Sequence, residues 1–222
     1  MLTGETSDDC QPRMTWLAWL AVILAVGPFV IKRIVLLGHH EDYVVWLTVD
    51  YVARCVSLLG VVLGFRSGLI GRQQYQAGWF VSGVVLAGLL SSELAEQTFI
   101  YPILRDKLSY LRLSSMPQIT DANVRAADLV FGLLLVAVSE ELVFRRLIFS
   151  MFGSRKFVSV TVLSALMFAL IHLTSGIADT VNAFIHGVLL GTTFWITRRV
   201  SVCIVSHYLI DLKVFSGFLN LA

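Results

Sequence analysis

The chain has 222 residues, 57% of them hydrophobic and 14% charged, with a formal net charge of +2 and a mean hydropathy of +0.80. Such a composition excludes an ordinary soluble domain and belongs to polytopic membrane proteins. No Lys/Arg-rich stripe with interleaved aromatics offers an electrostatic footprint for nucleic acid. The three cysteines, Cys10, Cys55 and Cys203, form neither a CxxC pair nor an even set, so no disulfide framework or thiolate metal site is expected.

Residues 1–13 carry Glu5, Asp8 and Asp9 against Arg13, the reverse of the basic start of an export signal. The first apolar run is therefore expected to be a retained span, closed by Lys32 and Arg33 as interfacial anchors. Apolar runs of spanning length predict helices near 15–37, 43–65, 76–92, 127–149, 157–174, 180–197 and 200–219. The expected fold is all-α, a polytopic transmembrane helical bundle of about seven helices, with room for an eighth. Within the second span, Asp50 and Arg54 are spaced i, i+4 and read as a self-neutralising structural pair. The stretch from Glu93 to Arg125 contains TFIYPIL, too short to span, followed by Arg105, Asp106, Lys107 and Arg112. It is expected to be interfacial or re-entrant.

Orientation follows from the basic loops. Arg155 with Lys156, and Arg198 with Arg199, mark two connections as cytoplasmic, whereas the connection around Ser175 to Asp179 has no Lys or Arg. A simple seven-span count puts the basic residues between Arg105 and Arg125 on the opposite side, a conflict that an extra crossing or a re-entrant loop would remove. The chain divides near residue 126, into an N-terminal transmembrane region, 1–125, and a four-helix membrane core, 126–222.

In that second part the run LVFGLLLVAVSEELVFRRLIF holds two adjacent acids, Glu140 and Glu141, with Arg145 one turn beyond. A carboxylate at bilayer depth costs about 2.5–3.5 kcal/mol on insertion scales, so such residues face a polar cavity and mark chemistry or transport. His172 ends the run LSALMFALIH, where it is expected near a membrane boundary or a cavity mouth. His207 and Asp211 share a helix face in SHYLID. Three helices each carrying buried polar groups are explained together by one shared cavity. His186, beside Gly187 in the sixth span, reads as a packing or hydrogen-bonded histidine where small residues let helices approach, with a supporting or metal role as the lesser alternative, and His39 and His40 read as loop residues.

A glutamate with two histidines, and no serine or cysteine paired with a base, suits the activation of water. The carboxylate takes a proton as water attacks an amide carbonyl, and histidines stabilise the oxyanion or hold a metal that does so. The HExxH signature of zincins is absent. A transporter or proton relay would also use intramembrane Glu, His and Asp, but the two halves show none of the internal similarity of transporter repeats. A non-catalytic immunity or scaffold protein is the other competing class.

The motifs EELVFR at 140–145, FALIH at 168–172 and HYLID at 207–211 occur in order, each on its own predicted helix. With Phe184, Gly187 and Gly191 between the second and third, they resemble the CAAX protease and bacteriocin-processing family, also called CPBP or Abi. The resemblance covers about residues 127–218. It implies an intramembrane endopeptidase related to the type II CAAX prenyl proteases, acting on a membrane-associated or lipidated protein or peptide. By that carry-over Glu140 activates water, His172 assists, His207 and Asp211 form the oxyanion or ligand side, and Glu141 with Arg145 shapes the site. Glu141 and Arg145 read equally well as an internal ion pair.

Many members have Asn where this chain has Asp211. An ionised carboxylate cannot donate to an oxyanion, so Asp211 is left to act protonated, to orient His207 or to ligate a metal. Metal use stays open: the family is often described as metalloproteases, whereas a glutamate with two histidines can also activate water directly, with no metal required, and the latter is preferred. Were a metal used, His172, His207 and Asp211 are the candidates and zinc the best fit. The expected setting is a bilayer, as a multi-pass protein of the bacterial inner membrane. Substrate and oligomeric state are outside what the sequence encodes legibly.

Overall fold

The computed structural model describes residues 15–37, 42–71, 76–108, 117–152 and 157–216. The expectations for residues 1–13, His39, His40, Arg112, Arg155 and Lys156 lie outside the described residues. Those residues form seven helices and no strand: α1, Trp16–Leu36; α2, Tyr43–Arg66; α3, Trp79–Lys107; α4, 122–151; α5, Phe157–Leu170; α6, Ile177–Thr197; and α7, Val200–Ser216. The all-helical bundle read from hydropathy is the observed architecture. Three of its helices, α1, α2 and α3, are each long and apolar enough to cross a membrane.

The main difference lies in α3. It does not stop at residue 92 but runs 29 residues to Lys107, so residues 93–107 extend a helix instead of forming a separate segment. Pro102 would normally break a helix by removing a donor and crowding the preceding turn. Here a π-helical turn, Glu96–Ile100, precedes it, and the Tyr101 N–H reaches back to the Glu96 carbonyl. The wider turn absorbs the irregularity.

Two more π turns, Asp128–Gly132 and Leu142–Leu147, lie within α4. The second begins directly after Glu141. Thr15 and Asp42 cap α1 and α2 through their side-chain oxygens, supplying acceptors for otherwise unpaired first-turn N–H groups.

Side-chain contacts give the helix directions. Tyr101 in the last turns of α3 donates to Asp179 in the first turn of α6, and Arg199, just after α6, stacks on Trp79 at the start of α3. The two helices are therefore antiparallel. Arg105 and Lys107 lie at the Asp179 end, opposite Arg198 and Arg199, as in the simple seven-span count.

Packing concentrates where α4 passes through the middle of the bundle. Phe144 is fully buried between Phe29 of α1 and Phe168 of α5, with ring centroids 6.0 and 5.3 Å away. Outward-facing residues of α3 are large and apolar, including Phe80 and Phe99. Such a surface suits a hydrocarbon solvent.

The small residues of α6 set its distance from α5. A Cβ added at Gly187 would lie 2.9 Å from the Cα of Ala165, so the two backbones touch where only glycine fits, as membrane helix packing exploits. Gly187→Val is expected to lower folding stability by about 1–3 kcal/mol through overpacking. Thermal unfolding of detergent-purified protein followed by size-exclusion chromatography would show this, and an unchanged midpoint would contradict the close approach.

Candidate active site

Successive helix residues point about 100° apart, and on α4 this sends the two adjacent glutamates to different partners. Glu140 turns toward α2, where its Oε1 accepts from Arg54 Nη1 at 2.8 Å. Glu141 turns toward α7. There its Oε1 lies 2.9 Å from His207 Nδ1, while its Oε2 accepts from Arg145 Nε at 3.0 Å. All five side chains are buried, Glu141 and Arg145 completely.

Arg54 is not part of a closed pair. It donates from Nε to Asp50 at 2.7 Å, as the i, i+4 spacing predicts, but Nη1 also reaches Glu140 and the Ser139 hydroxyl. Asp50 in turn pairs with Lys32 of α1. The self-neutralising reading of Asp50 and Arg54 is corrected accordingly, and so is the reading of Lys32 as an interfacial anchor, since Lys32 is buried. The pair is instead part of a longer chain of alternating charges across three helices: Lys32, Asp50, Arg54, Glu140. Helical spacing could not reveal this, because the third and fourth partners come from other helices.

His207 is the meeting point of the acids. Its Nδ1 faces Glu141, and its Nε2 lies 3.4 Å from Asp211 Oδ2 and 3.8 Å from Glu140 Oε2. The 3.8 Å separation exceeds a hydrogen bond. Glu140 is thus held firmly at one oxygen by Arg54, while the other points toward His207 without a direct donor. Arg145 continues from Glu141 to the Ser164 hydroxyl of α5 at 2.9 Å, and Ser164 donates to the Phe144 carbonyl.

His172 lies just past the end of α5, before a 3-10 turn, Leu173–Ser175, and Gly176, whose φ of 119° suits a residue without Cβ. The His172 Nδ1 is 2.8 Å from the Phe168 carbonyl. A carbonyl only accepts, so Nδ1 carries the proton and Nε2 is the nitrogen left for reactants. The structure joins His172 to the cluster through Phe168, whose ring lies 4.8 Å from His172, 6.0 Å from His207 and 5.5 Å from the Arg145 guanidinium carbon.

His186 is paired as well as packed. Its Nδ1 lies 2.7 Å from Glu93 Oε2, and its ring meets that of His207 edge-on at 5.0 Å. Glu93 lies just past the expected end of a span, where hydropathy alone gives it no role. The signal available was its register with Gln97 and Tyr101 on one helix face.

Among the described residues no group of three or more His, Cys, Asp or Glu side chains is placed to hold one ion.

Removing one partner from a buried ion pair leaves the other uncompensated, at about 3–5 kcal/mol. Arg145→Ala is therefore expected to destabilise the folded protein by that amount in chemical denaturation. A loss below about 1 kcal/mol, typical of solvent-exposed pairs, would show that water reaches Glu141.

Comparison with known proteins bears on the same segment. Residues 122–212 match the family model described as Type II CAAX prenyl endopeptidase Rce1-like. No curated protein matches the chain, and no solved structure does. The match spans α4 to α7 and includes every motif residue from Glu140 to Asp211. Residues 122–212 of this integral membrane chain are thus similar to the Rce1-like family, in keeping with the CAAX protease resemblance of its three motifs.

Proposed function

We propose that the chain is a glutamate-dependent intramembrane endopeptidase that hydrolyses a peptide bond of a membrane-associated or lipidated protein in a bacterial inner membrane. The observation that carries this reading is the asymmetric hold on Glu140: Arg54 fixes one oxygen at 2.8 Å, and the other faces His207 at 3.8 Å, beyond direct bonding. A carboxylate held in this way is oriented to take a proton from water as that water attacks a carbonyl.

In this reading the remaining groups divide the work. Glu141 holds His207 through Nδ1, which aims Nε2 at the reacting carbonyl. A ring flanked by acids at both nitrogens can donate from both, so Nε2–H stabilises the oxyanion. Asp211 orients that nitrogen from 3.4 Å. Nε2 of His172 accepts from the attacking water, and Glu140 passes its proton to the leaving amine. The reaction proceeds by direct water activation with these side chains and requires no metal. Arg145 positions Glu141 and does not touch the reactants.

Purified protein in liposomes with a lipidated or membrane-anchored peptide tests the assignment. Glu140→Gln is expected to fold normally and lose about 10²–10⁴-fold in turnover, the range for a missing general base. Unaltered cleavage would refute the role of Glu140. Asp211→Asn keeps an acceptor oxygen and is expected to retain activity, whereas Asp211→Ala loses the orientation of His207; loss in both together with loss of a bound metal would point instead to ligation.

A further inference from the structure

Helix α3 has a lipid-facing exterior, yet one of its faces carries Glu93, Gln97 and Tyr101 at i, i+4 and i+8. Helix α6 presents Asp179, Asn182 and His186 at i, i+3 and i+7. The two antiparallel stripes meet in register as three rungs. Tyr101 donates to Asp179 at 2.6 Å, Gln97 Nε2 lies 3.4 Å from Asn182 Oδ1, and Glu93 Oε2 lies 2.7 Å from His186 Nδ1.

Burial increases along the ladder. Tyr101 and Asp179 are half-buried at the helix ends, whereas Glu93 is 0% and His186 7% exposed. From Asp179 to His186 the axis descends about 10 Å at the helical rise. The innermost rung is where the ladder touches the active site, since the His186 ring packs 5.0 Å from that of His207.

A polar seam serving only to join two helices would satisfy its own groups, because unpaired polar atoms in hydrocarbon are costly. This one does not. Glu93 Oε1 and His186 Nε2 lack hydrogen-bond partners, and a second buried acid, Glu96, stands beside Glu93 with Gln97 donating to it at 3.0 Å. Buried polar atoms of this kind take water as their partner. Hydrolysis consumes one water per bond broken. Resting on the peptidase reading above, we infer that the α3–α6 seam is a hydrated lane that admits water from the membrane surface at Asp179 and Tyr101 to the neighbourhood of His207.

The test is cysteine accessibility in intact membranes, in a Cys10→Ser, Cys55→Ser, Cys203→Ser background with a charged, membrane-impermeant methanethiosulfonate reagent. The reactive thiolate forms in water and not in apolar surroundings, so Gln97→Cys, Asn182→Cys and His186→Cys should react on the order of tenfold or more faster than lipid-facing Phe99→Cys and Leu94→Cys. Labelling at Asn182→Cys should also lower kcat with KM unchanged. Equal rates at Gln97→Cys, Asn182→Cys and Phe99→Cys would overturn the lane, as would full labelling of Asn182→Cys without loss of turnover. Should His186→Cys fail to fold, the Gln97 and Asn182 variants decide the question alone. Labelling needs no peptide, so protein that labels as expected but cleaves nothing faults the peptidase reading and not the lane.

Discussion

A carboxylate cannot stay ionised inside a bilayer without a partner, and the bond from Arg54 to Glu140 supplies that partner. Much of the arrangement follows from it. Arg54 itself needs compensation, which Asp50 gives; Asp50 is then matched by Lys32. Two positive and two negative groups alternate across α1, α2 and α4, so the burial of each is conditional on the others. This network also ties the N-terminal helices to the acidic helix at one point, which fixes where Glu140 can be.

The family match begins at residue 122, whereas Lys32, Asp50, Arg54 and Glu93 all precede it. The four helices that carry the motifs therefore do not contain every group that holds the site. Arg54 orients the proposed base, and Glu93 holds the histidine packed against His207. The N-terminal helices act as a second wall of the site as well as membrane anchors.

Adjacent glutamates with separate roles are a consequence of helix geometry. A 100° turn between neighbours sends Glu140 to α2 and Glu141 to α7. The π turn that follows widens the helix where Arg145 folds back on Glu141, and such turns recur at functional sites. Phe168 completes the arrangement from α5. Its ring is the apolar surface shared by His172, His186, His207 and Arg145, excluding competing solvent from their faces while leaving their nitrogens directed elsewhere.

The sequence by itself determined the membrane class, the seven-helix count and the segment that the family model matches. Hydropathy reports burial in lipid directly, and motif spacing within a helix reports a shared face. Pairs encoded by such spacing, Glu141 with Arg145 and His207 with Asp211, form as read. Only the tertiary structure decided that Arg54 and Lys32 belong to the site, that α3 continues past Glu93, and that Glu93 and His186 adjoin His207. Each of these depends on contacts between helices far apart in the chain, and a helical period carries no information about which neighbour a polar face will meet.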